Sequence, residues 1–447
     1  MVTTSDQTAV VIGAGIAGLS AARALANHFG RVVVLDRDRL PDAADPRRGV
    51  PQGGHGHVLL LAGLRALEEL FGDVTEELLA AGASAFDAGL GLRFHRFGYS
   101  WPIDEPLGLR LVSFSRPLLE LTLRNRVTKL PAVEFRDTVA VTELTGADGR
   151  VTGVRLDDGT TIDTGLVVDC TGRGSRSDRW LGALGHEAPK VTEVKIGVGY
   201  ASRLYRRSPD DLAQGNAVLV VPAPPHELRV GLALPVEGDR WVVTLGGWHG
   251  AYPRDEAGFR EHIDLLPHPD LAHLLARSEP VSEIVYHQFP SSRRRHFEDL
   301  AAPPTGYLAL GDAICSFNPI YGQGMTCAAL EALELDRLLA TRRTVTAGLS
   351  TEYYRAAART IATPWRFAVG GDFAYPLTEG PRPRAIGFLN WYTRKMQEAA
   401  GVDLGVRRIF TSVQHLVTPP SVLQRPAMMW KVFWAARRAT ARRARAR

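Results

Sequence analysis

Short apolar runs alternate with helical periodicity at the start of the chain. Residues 8–12 form a run of small and apolar side chains that is typical of a strand buried on both faces. Residues 16–29 place apolar side chains at the three- and four-residue spacing of a helix, and residues 32–36 form a second apolar run. This order predicts a βαβ unit and therefore favours a parallel sheet.

The middle of the chain carries further strand-like segments. They are predicted at 133–143, 151–156 and 161–169, and a block of strands is predicted at 215–249. Such a block, lying between two halves of an α/β domain, indicates an inserted second lobe. From residue 350 onward the spacing of apolar positions is mainly helical.

We predict an α/β fold made of four segments. Residues 1–180 form the first part of a Rossmann-like dinucleotide-binding lobe, and residues 181–295 form an inserted, mixed or antiparallel β-sheet lobe for the substrate. Residues 296–345 complete the first lobe. Residues 346–447 form a helical C-terminal region that ends in a basic tail.

Charge is distributed unevenly along the chain. The 447 residues include 53 Lys and Arg and 48 Asp and Glu, which gives a net charge of +5. Eight of the basic residues, and no acidic residue, lie between Arg425 and the end. The other 424 residues have 45 basic and 48 acidic side chains, a net charge of −3. Because the basicity is confined to a tail, nucleic acid is not expected as a partner.

Aromatic side chains precede the arginines of this tail. On a helix, Trp430, Phe433 and Trp434 share one face. Two interpretations are open. Either an amphipathic helix makes a peripheral contact with an anionic membrane or an acidic carrier protein, or the helix caps the fold and ends in solvated arginines.

Cysteine content and hydropathy narrow the class of protein. The three cysteines have no Cys-x-x-Cys spacing, so neither a disulfide framework nor a metal site is predicted. No apolar run approaches the ~18 residues of a membrane span. The first strand begins at about residue 8, which leaves no room for a secretory signal. We therefore expect a soluble, cytoplasmic protein.

The turn after the first predicted strand has the pattern of a dinucleotide-binding site. Gly13 permits a tight turn, Gly15 lets a pyrophosphate approach the backbone, and Gly18 lets helix and strand pack closely. The helix N-terminus stabilises phosphate charge, and Asp36 at the end of the second strand can accept hydrogen bonds from ribose hydroxyls. Because this carboxylate would repel a 2′-phosphate, FAD and NAD are the candidate cofactors.

A second glycine-rich turn surrounds residue 312. Gly311 and Asp312 follow a predicted strand, and Gly322 and Gly324 open a helix ten residues further on. Asp312 can bind a sugar-alcohol chain, and the positive end of the helix dipole suits a ring carbonyl that becomes anionic on reduction. A flavin carries such a ring and NAD does not, so this turn favours FAD.

Together these motifs resemble those of the class A flavoprotein monooxygenases, the family of para-hydroxybenzoate hydroxylase and squalene epoxidase. The resemblance covers nearly the whole chain and implies an FAD-binding lobe of the GR2 type. It also implies further cofactor-binding residues. These are Arg37 after Asp36, Arg47 or Arg48 in the loop that approaches the pyrophosphate, Arg116, Val139 in the adenine pocket, and Met325 after Gly324.

Three segments are similar to a narrower group, the actinobacterial epoxidases of polyether biosynthesis. They are residues 48–57, residues 315–325 and the late segment 419–426. The resemblance implies epoxidation of alkenes in a lipophilic polyene, polyketide or terpenoid substrate of secondary metabolism, such as antibiotic biosynthesis. An aromatic hydroxylase of the same family, an FAD-dependent reductase of isoprenoid double bonds and a non-catalytic flavin-binding protein are the alternatives.

The resemblance also implies a division of labour in the chemistry. In that family reduced flavin activates O2 at its C4a carbon as a hydroperoxide, while the protein supplies position, dryness and proton control. No catalytic side chain is then obligatory for epoxidation. No second Gly-x-Gly-x-x-Gly follows a strand, so we expect NAD(P)H to bind transiently or a separate flavin reductase to supply the electrons.

Four side chains are candidates for the face of the flavin. His55 and His57 can relay a proton or stabilise the peroxide, can brace their glycine-rich loop by hydrogen bonds, or can attach the flavin covalently. Pro319 and Tyr321 are candidates for the substrate pocket. The run 293–295, three arginines, either holds an anionic group of the substrate or forms a solvated face.

Overall fold

The computed structural model describes residues 4–342 and 344–446, except for the side chains of Asp6 and of residues 442–446. The last arginines of the predicted basic tail, Arg442, Arg443, Arg445 and Arg447, lie outside the described side chains. The strands are β1 (Thr8–Ile12), β2 (Arg31–Leu35), β3 (Ser84–Asp87), β4 (Leu92–Arg96), β5 (Tyr99–Ser100), β6 (Arg110–Ser113), β7 (Val133–Arg136), β8 (Val141–Ala147), β9 (Arg150–Leu156), β10 (Thr161–Asp163), β11 (Leu166–Asp169), β12 (Val191–Arg206), β13 (Ala217–Val220), β14 (Arg229–Val236), β15 (Arg240–Gly247), β16 (Val285–Arg295), β17 (Tyr307–Ala309) and β18 (Cys315–Ser316). The helices are α1 (Ile16–Leu25), α2 (Leu61–Phe71), α3 (Val74–Ala80), α4 (Ala88–Gly91), α5 (Arg116–Thr128), α6 (Ser177–Ala183), α7 (Glu256–Asp264), α8 (Asp270–Leu275), α9 (Gly324–Thr341), α10 (Ala347–Asp372), α11 (Ile386–Ala400), α12 (Leu404–Gln414) and α13 (Pro426–Ala446).

The first sheet confirms the predicted βαβ start. Five parallel strands lie in the order β17-β11-β1-β2-β7. Every residue of β11 is buried, as are four of the five residues in each of β1 and β2. A strand buried on both faces has no position that faces water. It therefore needs no polar side chains, which explains the unbroken apolar runs. The sheet is therefore the Rossmann-like core predicted from the sequence.

One predicted strand is two strands in the structure. Residues 133–143 divide into β7, which joins the parallel sheet, and β8, which pairs antiparallel with β9. The break falls at Thr138, whose φ of 56° lies in the left-handed region that interrupts a strand. Apolar periodicity continues across this bend, so the pattern alone did not reveal it.

The second sheet confirms the predicted inserted lobe. Its eight strands lie in the order β18-β16-β12-β15-β14-β13-β4-β5, and all its pairs are antiparallel except β13 with β4. The sheet is thus mixed. At one edge of the sheet, β5 and its neighbour β4 come from residues 92–100, ahead of the main block of the sheet in the chain.

The C-terminal region is helical, as predicted. The helices α11, α12 and α13 share an apolar cluster with Phe94 and Trp101 of the inserted sheet's edge. On α13, Val432, Ala435 and Ala436 are buried in this cluster, so the helix packs onto the fold and caps it. Within the described residues, no helix has the length and apolar character needed to cross a membrane.

Candidate cofactor and active site

The glycine-rich turn between β1 and α1 is shaped by two close backbone contacts. A Cβ atom on Gly13, whose φ is +103°, would lie 2.7 Å from the Cys170 carbonyl oxygen. One on Gly18 would lie 1.7 Å from the carbonyl oxygen of Gly13. Neither position can carry a side chain, because real Cβ contacts are longer. The turn therefore brings the backbone N-terminus of α1 close to β1.

Gly15 faces two arginine side chains instead of backbone. A Cβ atom at Gly15 would lie 3.8 Å from Nη2 of Arg47 and 4.0 Å from Nη2 of Arg116. Gly15 is the N-cap of α1 and offers no side chain to the helix N-terminus. Two guanidinium groups and a helix N-terminus thus converge on one point, an arrangement that suits a pyrophosphate.

Arg116 is held in place by the start of α5. The Ser115 hydroxyl accepts a hydrogen bond from the Leu118 backbone N–H (3.2 Å), which caps the helix directly before Arg116. Burial lowers the pKa of Arg116, nearby Arg47 adds to this, and Glu120 and Asp312 oppose it. The Nε atom of Arg116 is buried and has no hydrogen-bond partner in the described part of the chain. A cation whose buried Nε lacks a partner fits the phosphates of FAD.

Asp36 directly follows β2, as predicted, and its carboxylate accepts hydrogen bonds from two backbone groups and from Arg47. Its carboxylate accepts hydrogen bonds from the Ala14 N–H (2.7 Å) and the Asp38 N–H (2.9 Å). Arg47 donates to Asp36 (3.1 Å) and to Glu120 (2.6 Å). Arg47 therefore links the predicted ribose-binding acid to the anion site at Gly15.

The remaining predicted residues near Asp36 differ in their exposure to solvent. Arg47 lies at the site, whereas Arg48 and Arg37 are exposed. The backbone N–H of Val139 donates a hydrogen bond to the Asp36 carbonyl oxygen (2.9 Å), which places Val139 beside the end of β2. The ion pairs of Arg47 favour Arg47 over Arg48, a choice that the sequence leaves open.

The second glycine-rich turn lies next to the first. A Cβ atom on Gly324, the first residue of α9, would lie 3.4 Å from Oδ1 of Asp312. Burial raises the pKa of Asp312, and the charges of Arg116 and Arg173 oppose that shift. Gly322 has a φ of +65°, and Met325 is buried in the first turn of α9. The two halves of the predicted FAD site are therefore brought together around Arg116.

His55 joins its glycine-rich loop to the inserted sheet. Its Nδ1 lies 2.7 Å from the Ser202 hydroxyl, and its ring meets the Tyr200 ring edge-on at 4.5 Å. The backbone N–H of Gly56 donates to the Thr244 hydroxyl (2.9 Å). The Nε2 atom of His55 is buried and has no partner within the described residues.

Both histidines of this loop are uncharged at neutral pH. Burial, reinforced by the nearby His287, lowers the pKa of His55 to about 3. Burial and then Arg116 lower the pKa of His57 to about 3 as well. Nδ1 of His57 lies 2.8 Å from the His55 carbonyl oxygen. The observed contacts are those of a hydrogen-bonded brace, and the unpartnered Nε2 of His55 can still exchange one proton.

Asp372 is a functional candidate that sequence reasoning missed. At the end of α10 it is 0% exposed, and its Oδ1 accepts hydrogen bonds from Asn318 (2.8 Å), Trp248 (3.0 Å) and Tyr321 (3.3 Å). Its Oδ2 is buried without a partner among the described residues, and burial raises its pKa to about 7. The one available signal was its isolation, because it is the only acid between Glu352 and Glu379.

Asp372 also fixes Tyr321, one of the two predicted substrate-pocket residues. Tyr321 approaches α10 at Gly371, where a Cβ atom would lie only 2.1 Å from the Tyr321 hydroxyl. Tyr321 is partly buried and packs against the cluster that contains Tyr200, whereas Pro319 is exposed. Of the two, Tyr321 is the one packed against the inserted sheet.

The three arginines at 293–295 are not a solvated face. Arg295 is 2% exposed and donates hydrogen bonds to the carbonyl oxygens of Ala313 (3.0 Å) and Ser175 (3.1 Å). It therefore ties the end of β16 to the turn that carries Asp312. From the sequence alone, a run of arginines at the surface cannot be distinguished from a run that contains a buried, hydrogen-bonded arginine.

Comparison with known proteins agrees with this geometry. Residues 8–87 match the family described as FAD dependent oxidoreductase. Squalene epoxidase 1 of Arabidopsis thaliana is 25% identical over 370 residues, which are 79% of this chain and 63% of that protein. A solved structure of a triple mutant of the flavin-dependent brominase Bmp2 has the same fold, with a TM-score of 0.67, 15% identity and coverage of 94% of this chain and 98% of that chain.

A closer sequence relative covers most of both chains. Protein Rv3254 of Mycobacterium tuberculosis is 36% identical over 397 residues, which are 84% of this chain and 82% of that protein. The residues around Gly15, Arg116 and Asp312 fit FAD, since they offer a helix N-terminus, two cations and a sugar-binding acid. The chain therefore belongs to the same family as Protein Rv3254, and it is an FAD-dependent oxidoreductase with a Rossmann-like cofactor lobe and an inserted sheet.

Proposed function

We propose that the protein is a cytoplasmic FAD-dependent monooxygenase that epoxidises alkenes of a lipophilic polyene, polyketide or terpenoid in secondary metabolism. Bound FAD, once reduced, supplies the electrons and the carbon centre that activates O2. The observation that supports the proposal most strongly is the suppression of charge at His55, His57 and Asp372. An alkene needs no base, and neutral side chains at these positions suit an apolar substrate.

The chain's own residues perform three tasks in this proposal. Arg116, Arg47 and the N-terminus of α1 hold the cofactor phosphates. The N-terminus of α9 would direct its positive dipole towards the flavin ring, where it would stabilise negative charge. The apolar cluster containing Tyr200 and Tyr321 excludes water from the substrate side.

Proton control falls to His55 in this proposal. Its Nδ1 is engaged by Ser202, which leaves the buried Nε2 as the position that can gain or give up a proton. Because burial holds His55 neutral, it adds no fixed positive charge beside an apolar substrate. The electrons come from NAD(P)H bound transiently or from a separate flavin reductase.

One observation keeps aromatic hydroxylation as the second candidate. Hydroxylation of a phenol benefits from a base with a pKa near 7, and burial gives Asp372 a pKa of about 7. Asp372 hydrogen-bonds to Tyr321 at the predicted substrate pocket. The two reactions differ in their product, an epoxide or a catechol-type phenol.

Oxygen labelling tests the proposal. The FAD-loaded enzyme is supplied with NAD(P)H or a flavin reductase, ¹⁸O2 and a panel of linear polyenes or phenols. The proposal expects one ¹⁸O atom in a polyene epoxide and no product without O2. A labelled phenol product identifies the second candidate. Product formation at an unchanged rate under anaerobic conditions contradicts oxygenation and identifies the double-bond reductase.

A further inference from the structure

Four large aromatic side chains form an exposed surface at the C-terminal end of the molecule. Phe388 and Trp391 on α11 are 55% and 45% exposed, and Trp430 and Trp434 on α13 are 70% and 56% exposed. The indole rings of Trp430 and Trp434 stack at 5.9 Å, and Phe388 lies 5.6 Å from Trp391. Phe433 joins the two helices through its contact with Trp391 at 5.7 Å. We name these four exposed residues the aromatic face.

Apart from the contact of Trp391 with Phe433, the aromatic face is not needed to hold the two helices. The opposite side of α13 buries Val432, Ala435 and Ala436, and α11 buries Tyr392 and Met396 in the same cluster. The helices are therefore fixed by residues that point inward. Single exposed apolar residues are ordinary on a protein surface, but two pairs of exposed aromatic rings on packed neighbouring helices mark an interaction site.

Positive charge flanks the aromatic face. Arg437 and Arg438 are exposed one turn beyond Trp434, and Arg425 is exposed directly before α13. No acidic residue occurs from Arg425 to the end of the chain, whereas the preceding 424 residues carry a net charge of −3. The positive charge is thus concentrated beside the exposed indole rings.

This combination matches the chemistry of an anionic bilayer surface. Tryptophan is favoured at the headgroup level, where its ring meets apolar chains and its N–H meets water. Arginines beside such rings gain about 1 kcal/mol each from anionic headgroups. An acidic protein partner would use the arginines but leaves the four exposed rings without a matching apolar surface. The observations therefore favour lipid.

The position of α11 connects this surface to the active-site side. Its Ile386 and Leu389 pack in the cluster that contains Tyr321, while Phe388 and Trp391 on its other side are exposed. One helix thus separates the aromatic face from the apolar wall of the predicted substrate pocket. The relevance of this route to a lipophilic substrate rests on the proposed function, whereas the docking surface does not.

We propose that the aromatic face docks the protein on an anionic lipid bilayer, with Trp430 and Trp434 at the headgroup level and Arg437 and Arg438 on the lipid phosphates. The test is sedimentation of the full-length, FAD-loaded protein with vesicles of phosphatidylcholine alone or with about 30 mol% phosphatidylglycerol. We expect binding to the anionic vesicles that weakens strongly at about 0.5 M NaCl. Binding to neutral vesicles should be weaker by about 30-fold or more, since at least two arginines contribute.

Matched variants make the test specific. Trp430→Ser with Trp434→Ser is expected to weaken vesicle binding about tenfold or more. Arg437→Gln with Arg438→Gln should remove most of the preference for anionic lipid, about 30-fold if the two contributions add. Leu265→Ser with Val281→Ser, which changes apolar residues of similar exposure on the inserted lobe, should bind vesicles as the wild type does. FAD content and circular dichroism confirm that each variant is folded.

Four results would overturn the proposal. They are no sedimentation with either vesicle, equal binding by the tryptophan variant, a dimer that this variant dissociates while vesicle binding is absent, and binding of an acidic carrier protein without vesicle binding. Turnover of detergent-dispersed substrate separates this proposal from the proposed function. The tryptophan variant should keep that turnover even when it no longer binds vesicles.

Discussion

The two sides of the predicted flavin site differ in the charge of their side chains. On the cofactor side, Arg47 and Arg116 converge on Gly15. On the substrate side, burial leaves His55 neutral and raises the pKa of Asp372 to about 7. Positive charge lies where an anionic cofactor is expected, and burial disfavours the charged forms of His55 and Asp372 where an apolar substrate is expected. Burial thus disfavours charged side chains on the substrate side, whereas two arginines on the cofactor side can attract an anion.

The largest expected effect concerns the suppressed charge of Asp372. Its pKa is raised in the folded state, so its contribution to stability is full below its unfolded pKa near 4 and is lost as pH rises through about 7. The asparagine of Asp372→Asn cannot ionise, so the variant should not show this loss of stability as pH rises. The difference in unfolding free energy between variant and wild type should change by at most about 4 kcal/mol between pH 4 and 8.

Urea unfolding across that pH range measures the difference. Asp163→Asn, a change of an exposed acid, is the matched control and should give a curve parallel to the wild type. Parallel curves for Asp372→Asn and the wild type would show that Asp372 is ionised at little cost. The substrate side would then not be a region of suppressed charge.

On the cofactor side, the largest effect is expected at Asp312. Asp312→Ala removes the acid that lies beside Gly324 and close to Arg116. The loss of hydrogen bonds to a charged group should weaken FAD binding about 100-fold. Flavin fluorescence titration of the apoprotein gives the dissociation constant. Asp163→Ala serves as the control, and an Asp312→Ala protein that retains wild-type flavin absorbance contradicts the site.

Arg116 should give a smaller effect with a distinctive signature. Arg116→Met keeps the length of the side chain and removes the charge, so FAD should bind about tenfold more weakly. Because the buried Nε of Arg116 has no partner among the described residues, the melting temperature of the apoprotein should stay equal or rise. Arg48→Met, at an exposed arginine, should change neither quantity. Unchanged FAD affinity in Arg116→Met would remove Arg116 from the cofactor site.

The smallest effect is expected for the ionisation of His55. With a pKa of about 3 it does not titrate between pH 5 and 8. The pH profiles of kcat for the wild type and for His55→Gln should therefore have the same shape, whatever their heights. An ionisation near pH 6.5 that disappears only in His55→Gln would show that His55 carries charge during turnover.

Sequence patterns predicted the cofactor side better than the substrate side. Gly13, Gly15 and Gly18 act within a few residues of one another, so their spacing reveals their role. Asp372 depends on Trp248 and Asn318, which lie 124 and 54 residues away in the chain. No local pattern records such contacts. Arg295 was misjudged for the same reason, because its partners are carbonyl groups of two distant turns.

The crystal structure of the FAD complex tests the division of charge most directly. We predict that the pyrophosphate lies between the backbone at Gly15 and the guanidinium of Arg116, and that the ring lies beside Gly324 with neutral His55 on its substrate side. A pyrophosphate bound away from Arg116, or a charged side chain that moves against the substrate face of the ring, would contradict it.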